Sequence, residues 1–319
     1  MKRVAPGTRV VGVSLIVASA FAFATIPIFG KLAYSSGTEP LGLLAWRFGL
    51  AALILMSINV VTALVKKRPI FPPLRLSLTL MGFGAFMLTP EVVLYFFGLQ
   101  TVSAGLAETL LFLYPAWVVL MSAMLFRRKP ELVTVLCVVG AILGAAITIG
   151  SVSGGSLIGM ALVTGASVTF AAYIVAGSRL LPRVGSLPGT ALIITGAGAM
   201  FVLLATITGS RGPDDTSAWL GTLGMVIIGT IVSFITLSAG LARINASTAS
   251  VIATIEPVIA VLLGAVVLGE AVGGIQVLGM ALVLGSVAAL LAFESRAAAE
   301  GRRTQVVPAP PTPPSGGAG

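Results

Sequence analysis

Histidine is absent from this sequence, and charged residues are scarce. Only 9% of its 319 residues are charged and none is histidine, whereas a soluble domain carries roughly 25% charged residues. The missing histidine removes the commonest metal ligand and the commonest general base near neutral pH. The single cysteine, Cys137, cannot form a disulfide within the chain. The sequence also contains no phosphate-binding loop and no common hydrolase or metalloprotease motif. We therefore predict neither an enzyme nor a bound metal or other cofactor.

Apolar residues make up 57% of the chain, and glycine occurs 38 times. A helix needs about 20 apolar residues to cross a bilayer, and runs of that length follow one another almost end to end. Small residues such as glycine allow membrane helices to approach closely. The pattern predicts an all-α membrane protein with ten transmembrane helices. The predicted spans lie near residues 10–32, 41–64, 75–97, 104–126, 132–150, 156–178, 188–209, 217–240, 246–268 and 273–293.

One segment occurs twice, with a proline in its middle. Residues 98–126 align with residues 240–268 without a gap, and eight of the 29 aligned pairs are identical, including Pro115 with Pro257. A duplication inside an apolar chain is typical of transporters built from repeats. Five spans per repeat is an odd number, so the two copies must cross the membrane in opposite directions. The expected organisation is an N-terminal segment of residues 1–9, inverted five-helix repeats at residues 10–150 and 156–293, and a disordered tail of residues 295–319.

Basic residues predict the orientation, because they concentrate in cytoplasmic loops. With the N-terminus inside, sixteen basic residues fall on the inner side, and only Lys31 and Arg211 fall outside. We expect both termini in the cytoplasm, and we do not interpret the net charge of +9 as a sign of nucleic-acid binding. Lys2, Arg3 and Arg9 before an apolar run also fit a signal peptide. Cleavage is disfavoured because the run continues past the cleavage-like site and matches the sixth span.

Several stretches resemble a known family of carriers. They are residues 255–258, residues 268–270, Gln276, Gly279 and Gly285 near the end of the chain, and Arg47-Phe48 followed by residues 51–53 in the second span. They are similar to the EamA-type repeat of ten-helix carriers in the drug/metabolite transporter superfamily. The resemblance implies a protein of the bacterial inner membrane that exports small metabolites, often amino acids, or drugs. It also implies a central cavity lined by spans 1, 3, 4, 6, 8 and 9.

Three glutamates lie inside predicted spans, where a charged side chain costs about 2.5–3.5 kcal/mol at the bilayer centre. Glu256 lies near the middle of the ninth span. It either binds a proton or a substrate ammonium, or braces the helix that Pro257 breaks. Glu91 and Tyr95 share a face of the third span because they are four residues apart. Glu91 and Glu108 are expected in the outer half as an acidic vestibule, although Glu108 also fits snorkelling to water.

Lys31 and Arg47 are expected near the outer boundary of the membrane. Each fits a pairing with one of the outer glutamates or with a lipid phosphate, and the sequence does not choose between them.

Prolines and aromatic residues complete the candidate cavity. Pro115 and Pro257 each remove one backbone hydrogen bond, which frees the carbonyls of Leu111 and Ala253. Matched prolines in inverted halves are expected at a binding site or a hinge, and a tolerated kink is the alternative. Aromatic walls suit apolar or aromatic substrates, although most aromatic residues of a bundle only pack. The candidate residues are Phe23, Pro27, Glu91, Tyr95, Glu108, Tyr114, Pro115, Phe170, Tyr173, Ser233, Phe234, Glu256 and Pro257.

We therefore interpret the chain as a secondary transporter that exports small metabolites by alternating access. Amino acids, including aromatic or other apolar ones, are the first substrate class. Export of drugs or other cationic compounds is the alternative, followed by a channel or a membrane protein that transports nothing. The expected partners are a small-molecule substrate and the lipid bilayer. Proton coupling through Glu256 or Glu91 and passive facilitated export are both compatible with the residues.

Overall fold

Helices form the whole of the regular structure in the part of the chain that the computed structural model describes, residues 6–35, 37–126, 132–150, 156–180, 184, 186–241, 243, 252–253 and 255–304. The helices of the first half are α1 Pro6–Ala24, α2 Ile26–Tyr34, α3 Pro40–Val65, α4 Leu74–Phe83, α5 Thr89–Leu99, α6 Ala104–Leu111, α7 Tyr114–Phe126 and α8 Leu132–Gly150. Those of the second half are α9 Leu157–Leu180, α10 Ser186–Thr208, α11 Thr216–Gly224, α12 Ser233–Leu241, α13 Glu256–Leu268 and α14 Gly274–Thr304. Within the described residues, the π-helical segments Gly84–Leu88 and Met225–Val232 join α4 to α5 and α11 to α12.

The chain is a multi-pass membrane protein by the length and composition of its helices. In the described part of the chain, six helical stretches are long and apolar enough to span a membrane: Val10–Tyr34, Pro40–Val65, Leu74–Leu99, Leu157–Gly177, Leu187–Thr208 and Thr216–Leu237. Four shorter apolar helices are Ala104–Val118, Leu132–Thr148, Glu256–Leu268 and Gly274–Leu290. Each of the ten predicted spans overlaps one of these stretches. The first residues of the predicted ninth span, 246–251, lie outside the described residues.

The last helix continues past the predicted end of its span. α14 extends to Thr304, so residues 295–304 of the predicted disordered tail are helical. Alanine and arginine predominate in this stretch, and both are strong helix formers. Residues 305–319, with the prolines on which that prediction rested, lie outside the described residues.

Several spans are broken in the middle rather than continuous. α1 ends before Thr25, whose hydroxyl donates to the carbonyl of Ala22, and α2 starts next to Pro27. α6 and α7 are separated by a tight turn at Phe112 and Leu113, immediately before Tyr114-Pro115. π-helical turns inside α-helices are frequent at functional sites. The helix breaks and the π-helical segments therefore indicate a functional site in the middle of the bundle.

Close backbone contacts hold the bundle together. α3 packs along α10, α8 along α14, α5 along α9, and α1 along α12. A Cβ atom at Gly84 would overlap the carbonyl of Ile193, and one at Gly196 would overlap the carbonyl of Met81. The third span and α10 therefore touch backbone to backbone at these two glycines, as small residues allow in membranes.

Glu270 links the end of α13 to the start of α6. Gly269 ends α13 in the left-handed conformation, with φ of 67°, and the backbone N–H of Glu270 donates to the carbonyl of Gly264 at 3.1 Å. The Glu270 carboxylate then accepts from the backbone N–H of Ala104 at 2.7 Å and from that of Gly105 at 3.5 Å. A carboxylate is favoured at a helix N-terminus because it meets free N–H groups and the positive end of the helix dipole.

Candidate functional site

A cavity of about 510 Å³ lies in the middle of the bundle. A volume of this size is in the range of small-molecule sites. Its lining residues are Ile16, Ser19, Ala20, Phe23, Ile26, Arg47, Phe48, Leu88, Glu91, Val92, Tyr95, Phe96, Glu108, Leu111, Phe112, Tyr114, Phe170, Tyr173, Thr190, Ile193, Ile194, Thr230, Phe234, Leu237, Ala253 and Glu256. The walls are mostly apolar and aromatic, and they carry three carboxyl groups and one guanidinium.

The breaks in the helices lie beside this cavity. Leu111 and Ala253, the two residues whose carbonyls the prolines free, both line it. The π-helical segments lie beside it as well, since Leu88 ends the first and Thr230 belongs to the second. Immediately after the first segment, Thr89 donates its hydroxyl to the carbonyl of Gly84 at 3.3 Å. In the second, Thr230 donates to the carbonyl of Met225 at 3.0 Å.

Glu108 is the most buried of the three cavity carboxylates. Its side chain is 3% exposed, and Oε1 accepts a hydrogen bond of 2.8 Å from the hydroxyl of Tyr95. Its other oxygen, Oε2, is buried and has no hydrogen-bond partner within the described structure. Glu91 and Glu256 lie within electrostatic reach of the same Tyr95 hydroxyl. The three carboxyl groups therefore form one acidic region around Tyr95.

Arg47 lies inside the bundle and lines the cavity. It is 7% exposed, and its Nε donates a long hydrogen bond of 3.4 Å to the hydroxyl of Thr230. Its guanidinium carbon lies 5.0 Å from the ring centre of Phe48 and 5.3 Å from that of Phe96. Of the two alternatives for Arg47, the buried position is closer to a pairing with Glu91, with which it interacts electrostatically, than to a lipid phosphate at the membrane boundary. Lys31, in contrast, lies within electrostatic reach of Glu270.

Aromatic rings form one wall of the cavity. Tyr114 meets Phe170 edge to face at 4.9 Å between ring centres, and Phe170 stacks on Tyr173 at 5.9 Å. Phe23 and Phe234 form a second edge-to-face pair at 5.3 Å. Such pairs are worth about 0.5–1.5 kcal/mol beyond their burial. The rings therefore stabilise the bundle and at the same time offer flat apolar surfaces to a ligand.

Nine of the thirteen candidate residues line the cavity: Phe23, Glu91, Tyr95, Glu108, Tyr114, Phe170, Tyr173, Phe234 and Glu256. The other four, Pro27, Pro115, Ser233 and Pro257, are buried beside it and are not among the lining residues. Ser233 is directed into the helix packing: its hydroxyl donates to the carbonyl of Gly229 at 2.8 Å, and its own carbonyl accepts from Ser19.

Sequence reasoning missed the contributions of the second and seventh spans. Arg47 and Phe48 come from α3, and Thr190, Ile193 and Ile194 come from α10. A sequence signal was available for Arg47, because an arginine in an apolar span is itself an indication of function. Nothing in the apolar pattern of α10 separates Ile193 and Ile194 from residues that face lipid.

The apolar helices, and between them an apolar and aromatic cavity that carries a few charged groups, define a membrane protein of the transporter class. Among the described residues no cluster of histidine, cysteine, aspartate or glutamate could hold a metal ion. The profile of the EamA-like transporter family matches this chain twice, over residues 10–150 and again over residues 157–292. The chain belongs to this family, and the predicted resemblance is confirmed.

Named relatives are transporters as well. The uncharacterized transporter YcbK of Bacillus subtilis is 27% identical over 84% of this chain and 88% of its own length. The threonine/homoserine exporter RhtA of Salmonella typhimurium is 29% identical over 60% of this chain and 63% of its own length. A crystal structure with 20% sequence identity superposes with a TM-score of 0.61 over 92% of this chain and 98% of its own, which shows a shared fold.

Proposed function

We propose that this protein is a secondary transporter that exports small metabolites carrying an amino group, with amino acids as the first class. The observation that carries the proposal is the buried Oε2 of Glu108, which has no partner among the described residues of the cavity. A buried acceptor without a donor costs about 1–3 kcal/mol, and more when it is charged. A substrate ammonium or a proton at Glu108 removes this cost, so the site has a physical reason to bind either one.

The proposed scaffold has ten membrane spans in two inverted five-helix repeats, residues 10–150 and 156–293. The helix contacts support this arrangement. Spans 2, 5 and 4 of the first half, α3, α8 and α6, pack on their counterparts α10, α14 and α13. The two π-helical segments also fall in corresponding third helices, at Gly84–Leu88 and Met225–Val232. In each of these pairings a helix of one repeat contacts the corresponding helix of the other repeat, as expected when a two-fold axis relates the two repeats.

The proposed orientation has both termini in the cytoplasm, with the protein in a bacterial inner membrane. The distribution of basic residues supports it. Lys66, Lys67, Arg68 and Arg75 surround the short connection between α3 and α4, whereas Arg211 is the one basic residue between α10 and α11. YcbK and RhtA are bacterial proteins.

The proposed mechanism is alternating access with exchange at the carboxyl groups. A substrate ammonium and a proton compete for Glu108 and Glu256, so binding of one releases the other. The tight turn before Pro115 and the start of α13 at Glu256-Pro257 allow the two halves to rock around the site, since a proline-broken helix bends more easily than a continuous one. Passive export without proton exchange would need the same cavity but would be independent of the pH gradient.

Export of cationic compounds is the second candidate. It is favoured by the excess of three carboxyl groups over one guanidinium in the cavity and by the aromatic wall. Aromatic faces and carboxylates together are suited to organic cations. Such a substrate needs no carboxylate of its own.

Uptake by liposomes containing the purified full chain tests the proposal. The probes are labelled L-threonine, L-phenylalanine and tetraphenylphosphonium. Saturable uptake of either amino acid, accelerated by unlabelled amino acid inside the liposomes, is the expected result. Uptake of tetraphenylphosphonium alone would favour the second candidate. Uptake that does not saturate and shows no counterflow would indicate a channel, and no uptake of any probe would contradict the proposal.

A further inference from the structure

Arg47 is a buried cation whose hydrogen-bonding capacity is largely unused. A guanidinium has five N–H donors. In the described part of the chain, the hydrogen bond from Nε to Thr230 is its only one, and that bond is long at 3.4 Å. The side chain is more than nine-tenths buried and lines the cavity. The N–H groups of the two terminal nitrogens, Nη1 and Nη2, are therefore available to a ligand in the cavity.

The surrounding aromatic rings fix the position of the guanidinium. Phe48 and Phe96 both lie close enough for cation–π contact, at 5.0 and 5.3 Å from its central carbon. Rings stabilise a cation without consuming its N–H donors. The rings and Thr230 together hold the group in place while leaving its outer edge free to make a forked pair of hydrogen bonds.

Glu91 does not provide the missing acceptor. It acts on Arg47 electrostatically, yet the two residues form no salt bridge in the described structure. The hydroxyl of Tyr95, which donates a hydrogen bond to Glu108, also lies within electrostatic reach of Arg47. The cavity thus has a cationic side at Arg47 and an acidic side at Glu108 and Glu256, with Glu91 and Tyr95 between them.

We propose that Arg47 binds the carboxylate of the transported substrate and so selects amino acids over amines that lack a carboxylate. This inference rests on the proposed function, in which the acidic side binds the amino group. A planar guanidinium matches a carboxylate through two parallel hydrogen bonds, which a lysine ammonium cannot reproduce. An unpaired cation buried among apolar residues is costly, so the free energy of its pairing favours substrates that supply an anionic group.

Two pairs of probes test this inference in liposomes containing the full chain. The first pair is L-phenylalanine with 2-phenylethylamine, and the second is L-threonine with 1-amino-2-propanol. Each amine is its amino acid without the carboxylate. The variants are Arg47→Gln, Arg47→Lys and the control Arg75→Gln, which removes an exposed arginine at the start of α4. Melting temperature is measured for each.

The wild-type protein is expected to carry the amino acid about tenfold or more faster than its amine, measured as kcat/KM. Arg47→Gln is expected to lower amino-acid transport by about 10- to 100-fold while leaving amine transport within about twofold. Arg47→Lys should recover only part of the lost amino-acid transport, because lysine retains the positive charge but cannot form two parallel hydrogen bonds with a carboxylate. Arg75→Gln should behave as wild type.

Equal loss of amino-acid and amine transport in Arg47→Gln would overturn the inference and assign Arg47 to structure. Preference of the wild-type protein for the amines would overturn it too, while leaving export of amino compounds intact. Transport of neither probe type would contradict the proposed function itself. If the variants do not fold, competition in the wild-type protein decides: L-phenylalanine methyl ester should inhibit labelled L-phenylalanine uptake at least about tenfold less than unlabelled L-phenylalanine does, and equal inhibition would overturn the inference.

Discussion

The hydroxyl of Tyr95 donates a 2.8 Å hydrogen bond to Oε1 of Glu108, across the gap between α5 and α6. Both residues are buried and both line the cavity. The bond satisfies one oxygen of the carboxyl group and leaves the other, Oε2, without a partner in the described structure. The pair therefore fixes one oxygen of the carboxyl group, and under the proposed function the other oxygen takes the proton or the substrate ammonium.

Tyr95→Phe should weaken both folding and transport. The substitution leaves both oxygens of Glu108 without a protein donor, at a cost of about 1–3 kcal/mol. We expect a lower melting temperature and a raised KM for the transported amino acid. The control is Asn59→Ala, which removes a hydrogen bond to the carbonyl of Ile70 at a buried residue that does not line the cavity. It should lower the melting temperature without raising KM, so a raised KM in both variants would contradict the assignment.

Glu256→Gln should abolish transport or its pH dependence while preserving expression. Glutamine retains the shape of glutamate and most of its hydrogen bonds, but it cannot exchange a proton or pair with an ammonium. Glu256→Ala should lose transport as well. If the carboxyl group only braces α13, glutamine will replace it and alanine will lower the melting temperature. A Gln variant with normal transport and a normal pH profile would assign Glu256 to structure.

Pro115→Ala and Pro257→Ala should each slow transport while leaving the protein folded in the membrane. Alanine restores the backbone N–H that proline lacks, which stiffens the helix at its break. The initial rate of uptake measures the effect. Pro69→Ala, in the exposed connection between α3 and α4, is the matched control and should transport normally. Unchanged rates in both helix variants would mean that the prolines are passive kinks.

Glu270→Ala should lower the melting temperature, because it removes the carboxylate that joins α13 to the N-terminus of α6. A hydrogen bond to a charged group is worth about 1.5–3 kcal/mol. Glu270→Gln should recover part of this, since its amide oxygen still accepts a hydrogen bond from Ala104. Glu39 precedes α3 and makes no side-chain cap hydrogen bond, so Glu39→Gln serves as the control. Equal melting temperatures for Glu270→Ala and wild type would contradict a stabilising link.

The sequence carried more information on the helices and the acidic residues than on the cavity as a whole. Apolar runs are a local signal, and the six long helices all overlap predicted spans. Glu91, Glu108 and Glu256 were recognisable because charge is costly in a membrane wherever it lies. The hydrogen bond from Tyr95 to Glu108 joins two helices that a loop separates. The burial of Arg47 depends on how α3 packs against its neighbours. Both depend on tertiary packing, which periodicity along one helix does not determine.

The π-helical segments are a second feature that sequence reasoning did not predict. Apart from Thr230, Gly84–Leu88 and Met225–Val232 consist of ordinary apolar residues. Their extra residue per turn is accommodated where Thr89 and Thr230 donate to carbonyls five residues earlier. A threonine in an apolar helix usually bonds three or four residues back, so the sequence alone favours an ordinary helix there.

Counterflow in liposomes containing wild-type protein or Glu108→Gln tests the central claim most directly. Liposomes preloaded with unlabelled L-threonine or L-phenylalanine should accumulate the labelled amino acid transiently through the wild-type protein. Glu108→Gln should fold with a similar melting temperature and lose this overshoot, because its amide is neutral and cannot form an ion pair with the substrate ammonium. Undiminished counterflow in a folded Glu108→Gln variant would contradict the account, since the buried carboxyl group would then take no part in carrying the substrate.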